Sequence, residues 1–252
     1  MEAHMLIFLC PLIFLAGFVD SIAGGGGLIS LTAYVAFGIN PHVALGTNKF
    51  SSCSGTTVAA IRYIRAKQFE LKSCVVAVIA SLIGSTIGSH VALLVSDRYL
   101  RYLLVILVPI IAVVTIFKKD FEVKEDRKEN GLFIYILCFV VSLAIGFYDG
   151  FFGPGTGMFL TFFFSAVVGL DIVKACGNTK IVNLASNIAA VTTFVMSGNI
   201  LYHIAIPCAV CQIAGSYIGS GMAIKGGVKV VRPVMLVVMA LLLLKIIIGF
   251  FL

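Results

Sequence analysis

The sequence predicts an all-α integral membrane protein of two pseudo-symmetric, inverted helical repeats, with glycine-broken or re-entrant helices and about eight transmembrane helices. Three observations predict it. Of the 252 residues 60% are hydrophobic and only 12% are charged, and the mean hydropathy is +1.12, far from the usual composition of a soluble domain. The apolar residues lie in long runs, and a bilayer core of roughly 30 Å takes about 20 of them per helical crossing. Finally, the first half of the chain recurs in the second.

Breakers divide the first half into apolar segments at 5–22, 27–37, 42–62, 73–95 and 100–117. The first has neither a basic region before it nor a small-residue cleavage pattern, so it is expected to be a retained membrane segment and not a signal peptide. Segment 27–37 follows four glycines and is half a bilayer long at about 1.5 Å per residue, which predicts a broken or re-entrant helix. Residues 118–130 carry ten of the 29 charged side chains and form a linker. The second half repeats the division at 131–152, 156–169, 173–197, 202–224 and 231–252. The expected units are therefore a first repeat at 1–117, the charged linker at 118–130 and a second repeat at 131–252.

The internal match is specific. Gly17-Phe18-Val19-Asp20 recurs as Gly146-Phe147-Tyr148-Asp149, an offset of 129, and Gly24 and Gly26 fall on Gly153 and Gly155. Two inserted residues raise the offset to 131, where Gly46-Thr47-Asn48-Lys49 meets Gly177-Asn178-Thr179-Lys180. Gly84, Ser85, Gly88 and Ser89 then meet Gly215, Ser216, Gly219 and Ser220. Short cytoplasmic loops collect Lys and Arg, and an odd number of crossings per repeat places twelve basic residues inside against Arg98 and Arg101 outside. That favours inversion of the second repeat, with both termini outside.

Chemistry concentrates beside the breaks. Asp20 and Asp149 lie within or at the deep end of apolar segments, and a carboxylate at the bilayer centre costs on the order of 3 kcal/mol unless it finds a partner, a proton or water. Two roles are open: capping the half-helix after the break, or handling a proton or substrate. The glycine runs 24–27 (Gly24, Gly25, Gly26 foremost) and Gly153-Pro154-Gly155-Thr156-Gly157 release backbone N–H groups near a positive helix end, which suits an anion; close helix packing is the other reading. Lys49 and Lys180, flanked by Thr47 and Asn48 and by Asn178 and Thr179, sit one to two turns into apolar segments and would draw an anion to the repeat interface. Snorkelling is the alternative for each. Asn183 and Asn187 extend the polar stripe, opposite Ser52 and Thr56, and could equally join helices. For Gly84, Gly88, Gly215 and Gly219 the spacing of four predicts helix packing.

Other functions are disfavoured. The net charge of +7 comes from basic residues at the ends of apolar runs, without the interleaved aromatics of a nucleic-acid surface. The seven cysteines are expected to be free thiols, and the four histidines lack metal-ligand spacing. No catalytic arrangement is present, and nothing calls for a cofactor or a metal.

The blocks GFVDSIAGGGG and ALGTNKF, with GFYDGFFGPGTG and ACGNTKIVN in the second half, resemble the TauE/SafE family of sulfite exporters and TSUP permeases over nearly the whole chain. The resemblance implies eight helices in two duplicated halves, a prokaryotic inner-membrane location, and movement of small sulfur-containing anions such as sulfite, sulfonates or sulfoacetate. It carries Asp20, Thr47, Asn48, Lys49, Asp149, Asn178, Thr179 and Lys180 directly as motif residues. With no nucleotide-binding motif, transport would run on a gradient, and the paired Asp residues make protons the expected coupling ion. An anion channel and a non-transporting assembly module are the alternatives. The expected partners are the lipid bilayer and a small anion; oligomeric state is left open.

Overall fold

The computed structural model describes residues 2–100, 131–234 and 237. All but the first residue of the expected fifth segment of the first half, the linker and most of segment 231–252 lie outside the described residues. The described chain is helical: α1 (Glu2–Ala23), α2 (Gly26–Ala36), α3 (Pro41–Arg65) and α4 (Leu71–Leu94), then α5 (Leu132–Phe151), α6 (Thr156–Phe162, continued as a π-helix over Phe163–Val167), α7 (Ile172–Met196) and α8 (Tyr202–Gly226). Each expected segment before residue 96, and each between 131 and 224, coincides with one helix to within a few residues.

Five of these helices, α1, α4, α5, α7 and α8, are long and apolar enough to cross a membrane. Helix α3 has the length, 25 residues, but is too polar to meet that criterion. Its Thr47, Asn48, Lys49, Ser51 and Thr56 are nonetheless buried, because neighbouring helices and not lipid cover them. The outer faces of the other helices carry large exposed apolar side chains, among them Ile79, Ile83, Ile87, Ile136, Val140, Ile206 and Val210, as a lipid-facing surface requires.

Two parallel helix pairs cross between the halves. Gly84 and Gly88 of α4 lie against the backbone of Leu143, Phe147 and Phe151 of α5, while Gly146 and Gly150 face Ser81 and Ser85. The equivalent Gly215 and Gly219 of α8 lie against Phe14 and Phe18 of α1, and Gly17 faces Gln212. Without a side chain at these positions the backbones approach closely and gain dispersion contact that lipid cannot replace. The expected packing role of the four spaced glycines is what the structure uses.

Helices α3 and α7 fill the space between these pairs and run antiparallel. The start of α3, at Gly46, meets Asn199 in the turn after α7, and the start of α7, at Gly177, meets Gln68 in the turn after α3. Two equivalent bonds fasten these ends: the Leu201 amide donates to the Thr47 hydroxyl at 3.1 Å, and the Glu70 amide donates to Asn178 Oδ1 at 2.8 Å. Helix α2 turns back from the break towards the N-terminal end of α1, since Leu31, Ala33 and Tyr34 share a core with Leu9 and Ile13. Helix α6 likewise turns back, so that Phe163 and Phe164 join Cys138 of α5.

Candidate functional site

The two glycine breaks touch. Gly24 has φ +85°, and a Cβ placed on it would lie 2.6 Å from Gly157 Cα; a Cβ on Gly157 would lie 2.5 Å from Gly24 Cα. Gly26 lies against the Ala16 carbonyl and Asp20 Cβ, Gly25 is the N-cap of α2, and Gly155, in the left-handed region, is the N-cap of α6. The amides of Gly24 and Gly153 close the turns that end α1 and α5, onto the carbonyls of Asp20 and Tyr148. At their point of contact the two glycine runs pack backbone against backbone.

Around that contact the buried charges pair across the halves. Lys49 of the first half donates to Asp149 Oδ2 of the second at 2.7 Å, and Lys180 of the second donates to Asp20 Oδ2 of the first at 3.0 Å. Both lysines are almost wholly buried, so neither snorkels. The Lys49 ammonium also donates to Asn187 Oδ1 at 3.1 Å and lies beside Gly153. The Ser186 hydroxyl donates to Asp149 Oδ2 at 2.6 Å, and Asn183 accepts from Ser186 and Asn187. The cluster of two ammonium and two carboxylate groups has no net charge.

The two aspartates, for which capping is one of two open roles, differ in what they bond. Asp20 Oδ1 accepts from the amide of Gly26, the first residue of α2, at 3.3 Å, a capping contact. Asp149 instead spends its carboxylate on Lys49 and Ser186, and Thr156 bonds back to the Gly153 carbonyl. Thr47 and Asn178 bond to the helix starts described above. The Thr161 hydroxyl donates to the Thr179 hydroxyl at 3.0 Å, and among the described residues Asn48 Oδ1 is buried without a hydrogen-bond partner.

Sequence reasoning passed over Ser186, whose only signal was its place one residue before Asn187. It also passed over a clamp at one end of the molecule. There Asp97 accepts from the Asn40 amide at 2.6 Å and contacts His42 Nδ1, while His42 Nε2 faces the Ala92 carbonyl at 3.0 Å. The Asn40 and His42 contacts hold the Asp97 carboxyl below its ordinary range. At the opposite end Glu70 caps α4; burial pushes its pKa up, but bonds from Ser73 and Lys72 outweigh this and hold it below the usual value. Among the described residues no group of His, Cys, Asp or Glu side chains could hold a metal.

The family model of the sulfite exporter TauE/SafE matches residues 9–246. The chain belongs to this family. A probable membrane transporter protein of Sinorhizobium, ORF9, is 34% identical over 93% of this chain and 89% of its own length. The Escherichia coli K12 protein YfcA, also named a probable membrane transporter, is 33% identical over 92% of this chain and 85% of its own. A similarly named Haemophilus influenzae protein is 32% identical over 91% of this chain and 89% of its own. No solved structure matches significantly. Family membership and the five long apolar helices make this TauE/SafE chain a multi-pass integral membrane protein.

Proposed function

We propose that this TauE/SafE protein is a secondary transporter of small anions, sulfur oxyanions or sulfonates among them, working in the prokaryotic inner membrane with protons as the coupling ion. The observation that carries the reading is the pair of crossed, buried ion pairs, Lys49–Asp149 and Lys180–Asp20, set around two glycine breaks in contact. Substrate class is drawn from the family, whose name is that of a sulfite exporter.

The chemistry follows from charge balance. An unpaired charge in the bilayer centre costs on the order of 3 kcal/mol, so an anion reaching a lysine displaces its carboxylate and leaves the cluster one charge too negative. A proton on the released Asp restores neutrality. Anion and proton are then bound together or not at all, which couples the two without a separate energy source. When both leave, the ion pair closes again. The crossed pairing ties this event to the contact between the halves, because each pair that opens removes one of the links between them.

Inverted repeats suit the cycle, since exchange of the two halves' conformations exchanges the side on which the site opens. Support comes from the antiparallel course of the equivalent helices α3 and α7. It comes also from the collection of Arg62, Arg65, Lys67, Lys72, Lys174 and Lys225 at the end where α3 terminates and α7 begins, which the positive-inside rule makes cytoplasmic.

The test is sulfite flux in proteoliposomes under an imposed pH gradient. Saturable uptake that accelerates when the proton gradient runs with the anion is expected. Flux that ignores the gradient overturns the coupling, and ohmic conductance without saturation makes the protein a channel.

A further inference from the structure

The repeat makes the two ion pairs equivalent in sequence, yet their surroundings differ. Lys49 has two partners, Asp149 at 2.7 Å and Asn187 at 3.1 Å. Asp149 has a second donor in Ser186, and both side chains of the pair are 3% exposed. At the offset of 131, the first-half positions matching Ser186 and Asn187 hold Gly55 and Thr56. Gly55 has no hydroxyl to offer, and a side chain there would meet Gln212 and Ser216 of α8. Thr56 lies 3.4 Å from the Asn187 amide, turned to the other pair. Among the described residues Lys180 bonds only to Asp20, at 3.0 Å, and the Asp20 side chain is 13% exposed.

We infer that Lys180–Asp20 is the pair that opens, taking the anion on Lys180 and the proton on Asp20, while Lys49–Asp149 stays closed as a fixed cross-link positioned by Ser186 and Asn187. This rests on the transport reading above and names the half of the site that does the work. Opening Lys49–Asp149 strips charge-assisted hydrogen bonds from an ammonium with two acceptors and a carboxylate with two donors. Opening Lys180–Asp20 loses one such bond, and Asp20 keeps the Gly26 amide. The partial exposure of Asp20 gives a proton its path. The titratable groups around Asp20 are Lys180 and Cys176 on α7 and Tyr63 on α3. Tyr63 is committed to the Ser21 carbonyl and Cys176 to the Ile22 carbonyl, which leaves Lys180 as the cation that responds when Asp20 is protonated.

The experiment measures sulfite binding by thermal shift in two charge-free double variants. Replacing a complete buried ion pair by apolar residues of similar volume is tolerated far better than removing one partner. Lys49→Met with Asp149→Leu removes the fixed cross-link and is expected to weaken sulfite binding by the smaller factor of the two. Lys180→Met with Asp20→Leu is expected to weaken it by about tenfold or more, as loss of the charge-assisted contact requires. A second measurement needs no substitution: a hydrophobic carbodiimide adds to protonated carboxyls in membranes. In proteoliposomes at acidic pH with sulfite, mass spectrometry is expected to find the adduct on the Asp20 peptide well before the Asp149 peptide. Equal or faster labelling of Asp149 overturns the inference, and so does loss of sulfite binding in both double variants; transport by the unaltered protein would then still stand. If the unaltered protein neither binds nor moves sulfite or sulfoacetate, the transport reading falls and the inference with it.

Discussion

Alanine in place of Gly24 tests the contact between the breaks against a control already present in the fold. Gly24 and Gly38 both have a left-handed φ, +85° and +79°, but among the described residues no atom lies within 4 Å of where a Cβ on Gly38 would stand. Both substitutions incur the cost of a left-handed L-residue, roughly 1–2 kcal/mol, offset by about 0.4–1 kcal/mol from the stiffer unfolded chain. Gly38→Ala should therefore destabilise by about 0–1.6 kcal/mol. At Gly24 the new carbon would stand 2.6 Å from Gly157 Cα, whereas ordinary contact begins at 3.4 Å. The obstacle is backbone and cannot rotate away, so the two breaks must separate by the better part of an ångström. Overpacking of this kind adds about 1–3 kcal/mol. Gly24→Ala should thus lie about 1–3 kcal/mol below Gly38→Ala in stability, read by thermal unfolding in detergent, and should also slow sulfite flux because the ion pairs straddle the contact. Equal unfolding of the two variants, within about 0.5 kcal/mol, would refute the contact and the reasoning built on it.

Lys49→Met alone leaves the Asp149 carboxylate buried without its cation and is expected to cost about 3–5 kcal/mol, most of which returns when Asp149→Leu is added; unfolding of the single and double variants checks it. Gly88→Leu forces α4 from α5 at the Phe147 carbonyl and should abolish monodisperse protein in size-exclusion chromatography. Glu70→Ala removes the α4 cap made through Lys72 and Ser73 amides and should lower stability by about 1 kcal/mol. The pH dependence has a definite sign: the folded-state pKa of Glu70 is depressed, so its contribution is present above the ordinary value of 4.5 and disappears as pH falls through the folded value. A thermal-unfolding series from neutral to acid pH should show that loss, and Glu70→Gln should flatten it.

Much of the fold was legible in the sequence because lipid imposes simple rules. Hydrogen-bonding every backbone group internally makes each long apolar run a helix, so segment edges followed from breakers such as the Gly24–Gly27 run and Gly153-Pro154-Gly155. The spacing of Gly84, Gly88, Gly215 and Gly219 announced a packing face, though not its partners. The intramembrane Asp20, Asp149, Lys49 and Lys180 stood out because charge in hydrocarbon needs a reason.

What the sequence determined by itself is the helical repeat, its breaks and the residue types gathered beside them, since these depend on local pattern and on transfer from water to lipid. Who meets whom was decided by the tertiary structure. A duplicated sequence offers each Lys an Asp in its own half and an equivalent Asp in the other, and pattern alone weighs the two the same. Packing breaks the tie: α4 lies on α5, α8 lies on α1, and the antiparallel α3 and α7 between them carry each lysine to the carboxylate of the opposite half. The same packing turns Thr47 and Asn178 to the helix starts and gives Ser186 its place on Asp149, because hydrogen bonds are set by where backbones come to rest in space.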